Sequence, residues 1–318
     1  MVRIVRQDGR YILEGHRGEG SFRDLLTWQM GGKRARWPRH VENRSLPPPP
    51  QRVEGAALKA TWVGHSTVLL QTAGLNILTD PFLSTRASPV PFAGPRRVRP
   101  AALTAETLPP IDLILLSHNH YDHMDLAALR AIARHHQAHI VTPHGNARWI
   151  RRASPAFNID ELGWGDTIEH KGLRIHVTPA LHWSKRGLFD ANTALWGAFV
   201  VQAPGGPIYF AADTGFGTGS TFADIRAAFG PPRLSLLPIG AYEPRWFMHP
   251  QHMNPEEAVK AHRLLESRAS IAIHHGTVQL TDEAIDAPVA ALADALRQQS
   301  VDPASFLVPD AGETLAID

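Results

Sequence analysis

The sequence predicts an α/β fold, and three observations predict it. From about residue 58 onward, short β-branched and leucine-rich runs alternate with stretches of helical, amphipathic spacing. Such alternation layers helices on sheets rather than building a bundle or an all-β sandwich. Of the 318 residues, 43% are hydrophobic and 19% charged, enough for a sizeable buried core under a solvated surface. Several apolar runs also end directly in histidine or aspartate, as happens where a strand delivers a polar side chain to the edge of a sheet.

Taken in order, the runs place strands at 59–63, 67–71, 75–79, 111–117, 139–142, 173–178, 196–202, 207–212, 233–239, 269–274 and 305–309. Helical spacing falls at 125–136, 221–229, 254–266 and 283–299. The third of these opens on Asn254-Pro255-Glu256-Glu257. That is a capping side chain, a proline at the first helical position, and acids facing the positive end of the helix dipole. Residues 1–50 differ from the rest: they are rich in Arg and Gly and end in Pro47–Pro50, an extended polyproline spacer. Within them Phe22, Leu25, Leu26 and Gln29 keep helical spacing, followed by the basic stretch Lys33, Arg34, Arg36 and Arg39. Two readings stand: a membrane-surface anchor, or, preferred, an arm packing its apolar residues on the main unit. The expected division is an N-terminal arm, 1–50, and one catalytic domain, 51–318.

Composition removes several function classes. There is no cysteine, so disulfides, thiolate metal sites and cysteine nucleophiles are excluded. The formal charge of +2 is small, and no basic stripe runs through the globular part, so no nucleic-acid partner is expected. The N-terminus carries charges throughout and lacks the apolar stretch of a secretory signal. No run reaches the ~18 apolar residues of a membrane span. The expectation is a cytoplasmic protein, with peripheral membrane contact and homo-oligomerisation left open.

The distinguishing feature is where the 18 histidines sit. The run 111–117 leads into His118-Asn119-His120-Tyr121-Asp122-His123; the run 174–179 leads to His182; 207–212 leads to Asp213; and 270–273 leads to His274. His118 and His120, two apart in extended backbone, project from one face toward one ion. Asp122 and His123 follow as the chain turns into a helix, so they address a neighbouring position. The expected set is His118, His120 and His182 on a first metal, Asp122, His123 and His274 on a second, and Asp213 bridging. Imidazole and carboxylate without thiolate suit zinc, with iron or manganese as alternatives. Two ions ~3.5–4 Å apart can activate a shared water and clamp a phosphoryl or carbonyl oxygen. A lone histidine is more often a hydrogen-bonded core residue, but seven such residues at four strand ends are hard to explain as packing.

The motif His118-x-His120-x-Asp122-His123 is the hallmark of the metallo-β-lactamase superfamily. The segments Thr61–Thr67, Leu78–Pro81, Ser117–His123, His182–Arg186, Pro238–Met248, His252–Val259 and Ala272–Thr277 further resemble the N-acylphosphatidylethanolamine-hydrolysing phospholipase D branch. These blocks keep their order across residues 58–315, and Pro238–Met248 is the most specific of them. The resemblance implies an αββα sandwich of two mixed sheets flanked by helices, with zinc at one edge. It implies hydrolysis of a phospholipid to phosphatidic acid and an N-acylethanolamine. His275 stands where the family carries an aromatic residue, and residues 1–50 do not clearly match.

Further residues have paired readings. Asp80 either orients a ligand histidine from behind or makes an ordinary Asp-Pro turn. His252, just before a helix, either joins Asp122 and Asp213 as a catalytic group at the phosphate or leaving group, or simply enters the helix. Tyr242, Arg245 and Trp246 put a cation among large apolar groups, suiting a lipid phosphate and its chains, against a packed loop. His65 is expected near the site but outside the ligand set. Lys185 and Arg186 either position an anion or solvate their loop. Two rival functions remain: a lactonase or other small-substrate hydrolase of the same fold, and a non-catalytic metal- or lipid-binding protein.

Overall fold

The computed structural model describes residues 2–15, 22–31 and 34–318. Lys33 and the side chain of Phe22, both part of the expected arm, lie outside the described residues. A hairpin of β1 (Ile4–Gln7) and β2 (Arg10–Leu13) and helix α1 (Phe22–Gly31) come first. Then follow β3 (Leu58–Gly64), β4 (Thr67–Thr72), β5 (Leu75–Thr79), β6 (Leu113–Leu115), α2 (Leu126–His135), β7 (His139–Pro143), α3 (Ala147–Ala153) and β8 (Asn158–Leu162). The second half runs β9 (Thr167–His170), β10 (Leu173–Thr178), β11 (Ala198–Ala203), β12 (Gly206–Phe210), α4 (Ser220–Phe229), β13 (Leu234–Pro238) and α5 (Arg245–Met248). It closes with α6 (Pro255–Leu265), β14 (Ala269–Ile273), α7 (Ala287–Gln298), β15 (Phe306–Leu307) and β16 (Thr314–Ile317).

Two seven-stranded sheets result, ordered β16-β3-β4-β5-β6-β7-β8 and β15-β14-β13-β12-β11-β10-β9. Each is mixed: β3, β4 and β5 pair antiparallel while β5 through β8 run parallel, and β9 to β12 pair antiparallel while β12 to β15 run parallel. The sheets face each other through Trp62, Leu70, Ile77 and Leu113 on one side and Ile175, Phe199, Phe210 and Leu236 on the other. Ile114, Leu129, Ile132 and Ile150 seal α2 and α3 to the outer face of the first sheet. Phe222, Val259 and Leu292 do the same for α4, α6 and α7 on the second. This is the expected αββα sandwich of two mixed sheets. Central strands buried on both faces read as continuous apolar runs, which is why they were visible in the sequence.

Helix α3 and the β1–β2 hairpin were not expected, and the other differences lie mostly at edges. Strands β8, β9 and β16 are half-exposed edge or near-edge strands carrying polar residues, so their hydrophobic signal is weak. The strand expected over 111–117 pairs only as Leu113–Leu115, because the Ser117 N–H leaves the ladder for the Asp80 carboxylate at 2.7 Å. Helix α7 begins at Ala287 rather than 283, and Glu283 instead accepts the N–H groups of Ala241 (2.6 Å) and Glu243 (3.2 Å). Helix α6 carries the expected cap, with Asn254 and Glu257 in a reciprocal capping box.

The N-terminal segment lies against the body. In α1 Trp28 packs on the body: it donates to Asp282 at 2.9 Å and stacks on Phe247 at 5.3 Å. Leu25 and Leu26 stay partly exposed. Further on, Ala35 bonds Asp282, Val41 bonds Val98 and Arg44 pairs with Asp310. Among the described residues no helix is long and apolar enough to cross a membrane.

Candidate metal centre

Strand direction gathers the site. Strands β5, β6, β10, β12 and β14 end on the same side of the sandwich, followed by Asp80, His118, His182, Asp213 and His274. The backbone there is forced into rare conformations. Asp80, Ala212, Ala241 and His274 all have left-handed φ, of 28°, 51°, 59° and 60°. Non-glycine residues adopt such values seldom, and they concentrate at functional sites. Gly240 shows how close the packing is, since a Cβ there would lie 2.1 Å from the His274 carbonyl.

Seven side chains converge in two groups. The His120 Nδ1 lies 2.9 Å from His118 Nε2 and 3.2 Å from His182 Nε2. The Asp122 Oδ2 lies 3.4 Å from both His123 Nε2 and His274 Nε2. Asp213 belongs to both: its Oδ2 is 4.0 Å from His118 and 3.7 Å from His182, and 3.1 Å from His123 and 3.2 Å from His274. Four donors held tetrahedrally at the ~2.0–2.1 Å bonds zinc makes to nitrogen and oxygen would stand ~3.3 Å apart, close to these spacings.

The chemistry of the donors fits cations as well. His123 Nε2, His274 Nε2 and Asp213 Oδ1 are buried without a hydrogen-bond partner. Such atoms rarely go unpaired in a native interior unless something else engages them. Burial would raise the pKa values of Asp122 and Asp213, but His123 and His274 hold both well below the usual carboxylate range. Burial would in turn depress His274, yet the charges of Asp213 and Asp122, 3.2 and 3.4 Å from its Nε2, lift it to about 9, and His123 rises well above its usual value for the same reason. The carboxylate pair thus demands positive charge, which protons on these two rings supply in a cation's place. Burial holds His118 far down, His120 to about 4 and His182 to about 3, so these rings offer neutral lone pairs.

Behind the cage, Asp80 accepts from His123 Nδ1 at 2.6 Å and from the Ser117 hydroxyl at 2.5 Å. That hydroxyl also meets His118 Nδ1 at 2.8 Å, so one carboxylate orients two candidate ligands and aims their Nε2 atoms inward. His182 is fixed similarly, with Nδ1 3.1 Å from the Gln251 carbonyl. His65 Nε2 sits 2.9 Å from Asp122 Oδ2.

A cavity of about 430 Å³ opens over the cage. Its polar walls include Lys185, Gln251 and His252, and its apolar walls Leu25, Trp28, Phe247, Met248 and Leu280. His252 is buried, its ring 5.1 Å from that of His182 and its Nδ1 without a partner; burial lowers it to about 3. Tyr242, Arg245 and Trp246 do not line this cavity. Arg245 turns away to Glu257 at 2.7 Å and to the His252 carbonyl at 3.0 Å, while Trp246 faces solvent. One turn of α5 instead presents the next residues, Phe247 and Met248, inward. Arg186 also turns away, onto the Asn119 and Met124 carbonyls, and His275 stacks on Trp62 at 4.9 Å. Trp28 and Leu280 went unnoticed in the sequence because nothing local marks a residue as facing a cavity formed by distant segments.

Comparison with known proteins agrees with this geometry. Residues 75–275 match the Beta-lactamase superfamily domain. N-acyl-phosphatidylethanolamine-hydrolyzing phospholipase D 1 of Caenorhabditis elegans is 39% identical over 81% of this chain and 75% of its own length. A UPF0173 metal-dependent hydrolase of Methanopyrus kandleri is 32% identical over 69% of this chain and 85% of its own. The isothiocyanate hydrolase from Delia radicum gut bacteria has the same fold, with a TM-score of 0.63 at 23% identity over 82% of this chain and 99% of its own. The chain therefore belongs to the β-lactamase superfamily of metal-dependent hydrolases, in the branch that resembles N-acylphosphatidylethanolamine-hydrolysing phospholipase D.

Proposed function

We propose that the protein is a dinuclear phosphodiesterase that cleaves an N-acylphosphatidylethanolamine or related phospholipid to phosphatidic acid and an N-acylethanolamine. The observation that carries it is the bridging position of Asp213 beneath a cavity with one polar and one apolar wall. In this reading His118, His120 and His182 hold one zinc ion, Asp122, His123 and His274 the other, and Asp213 both, with iron or manganese as substitutes. Ions bound there would lower the pKa of a coordinated water and offset charge on phosphoryl oxygens. The residues do the rest. Lys185 meets the anionic headgroup at the cavity wall, and Leu25, Trp28, Phe247 and Leu280 take the chains. Neutral His252 can relay the proton: one ring nitrogen accepts the proton released by the attacking water while the N–H on the other passes to the departing alkoxide as its P–O bond breaks. Residues 1–50 serve as an arm of the 51–318 catalytic unit by supplying Trp28.

Metal-loaded protein assayed side by side against an N-acylphosphatidylethanolamine, a simple lactone and bis(p-nitrophenyl) phosphate tests the reading. The phospholipid is expected to be turned over with the highest kcat/KM. A preference for the lactone would favour the small-substrate rival, and no turnover of any of the three would favour a binding protein. Trp28→Ala sharpens the test. Losing this wall should lower kcat/KM for the long-chain phospholipid by about tenfold, the worth of roughly 1.4 kcal/mol of apolar contact. The chainless diester should be unaffected.

Arg245 gives a separate prediction. Because it ties Glu257 and the His252 carbonyl together, Arg245→Ala should cost roughly 1–3 kcal/mol of stability and lower kcat more than it raises KM. A large rise in KM with an unchanged melting temperature would instead make Arg245 a direct phosphate contact.

A further inference from the structure

His65 occupies the turn between β3 and β4 with φ 57°, the left-handed region where glycine or asparagine is the usual choice. Three hydrogen bonds hold it there. Its N–H donates to Thr277 Oγ1 at 2.9 Å, and its carbonyl accepts from Trp62 Nε1 at 2.8 Å and from the His274 N–H at 3.0 Å. The turn is thus stitched to the end of β14, where His274 has the same rare conformation. A turn over-determined in this way persists where its side chain is used.

The buried ring points Nε2 at Asp122 Oδ2, 2.9 Å away, with its centroid 4.0 Å from that of His274 and its edge against Phe82. Among the described residues three imidazoles approach the Asp122 carboxylate. His123 and His274 also approach Asp213; His65 does not. His65 thus lies beside the group of Asp122, His123 and His274 and bonds Asp122 alone of the two carboxylates, much as Asp80 bonds His123.

We propose that His65 is the positioning residue for Asp122: its Nε2–H donates to that carboxylate and keeps it turned toward His123 and His274. The proposal rests on the reading of Asp122, His123, His274 and Asp213 as one metal position. Without the donor the carboxylate regains its rotamer freedom, and partners of this kind change metal affinity by about ten- to a hundredfold. Phe82, His123 and His274 pack around the ring and leave it little other freedom, so the hydrogen bond is held rather than sampled.

The test uses the full chain, stripped by a chelator and titrated with Co²⁺, reading its visible absorption and the metal content by mass spectrometry. Wild type is expected to take up two equivalents. His65→Gly, which relieves the left-handed backbone and so guards against misfolding, should bind the first equivalent as wild type does. It should bind the second about ten- to a hundredfold more weakly. His65→Gln, whose amide N–H reaches the same place, should recover most of that loss with an unchanged Co²⁺ spectrum. A glycine variant that binds both equivalents as wild type overturns the proposal alone and leaves the dinuclear reading standing. A glutamine variant with no recovery and an altered spectrum would make His65 a ligand, which also overturns it. A wild-type chain with no second equivalent overturns both.

Discussion

Replacing Asp213 by alanine is expected to empty both metal positions at once. Its Oδ2 is within 4.0 Å of four imidazoles, two from each group, and among the described residues no other carboxylate pairs with imidazoles of both groups. Removing it deletes one donor from each position and the charge that raises His123 and His274. Metal content should fall from two ions per chain to below one, and kcat/KM by on the order of 10⁴-fold. His118→Ala, by contrast, should weaken mainly one equivalent. The fold should survive because, without the Asp213 charge, His123 and His274 can shed their protons rather than stay charged and less compensated. Circular dichroism and a melting curve check that, and mass spectrometry counts the metal. Two tightly held ions in Asp213→Ala, or full activity, would sink the bridging assignment.

Hydrolysis of a phospholipid in ¹⁸O-labelled water is expected to put the label into the phosphatidic acid within a single turnover. Added butanol should yield little phosphatidylbutanol. The reason is the disposition of the histidines. A phosphoenzyme route needs an imidazole free to attack, and the phosphohistidine enzymes that make phosphatidic acid carry His-x-Lys; no histidine here has lysine two residues later. Among the described residues lining the cavity, His120, His182 and His274 point into the cage, which leaves His252. In the hydrolytic reading its neutral ring relays a proton, one nitrogen accepting it from the attacking water as the other donates to the leaving alkoxide. Direct attack by water leaves no covalent intermediate for an alcohol to intercept. Efficient transfer to butanol, or a phosphohistidine trapped at His252, would show that the mechanism is covalent even with the fold and cage intact.

Much of the site was legible because its residues follow apolar strands. A strand buried on both faces announces itself as an uninterrupted run, and the polar residue after it marks the sheet edge. The runs before His118, His182, Asp213 and His274 all do this, and the structure brings those four residues and His120, Asp122 and His123 together. Asp80 was visible by the same rule, though only the fold separates a residue that orients His123 from an ordinary turn. The edge strands β8, β9 and β16 were not legible, since half-exposed strands alternate weakly.

The sequence by itself thus determined the α/β layering, the strand-end placement of seven potential donors and the absence of thiolate chemistry. Tertiary structure alone decided which face of α5 meets the cavity, turning Arg245 to Glu257 and Phe247 inward. It also decided that Trp28, more than 200 residues away in the chain, completes the wall beside Phe247. The division has a physical origin. Burial and periodicity are local properties of a chain and leave their mark on neighbouring residues. The direction of a side chain in a short turn is instead set by partners distant in sequence, and only folding brings those to it.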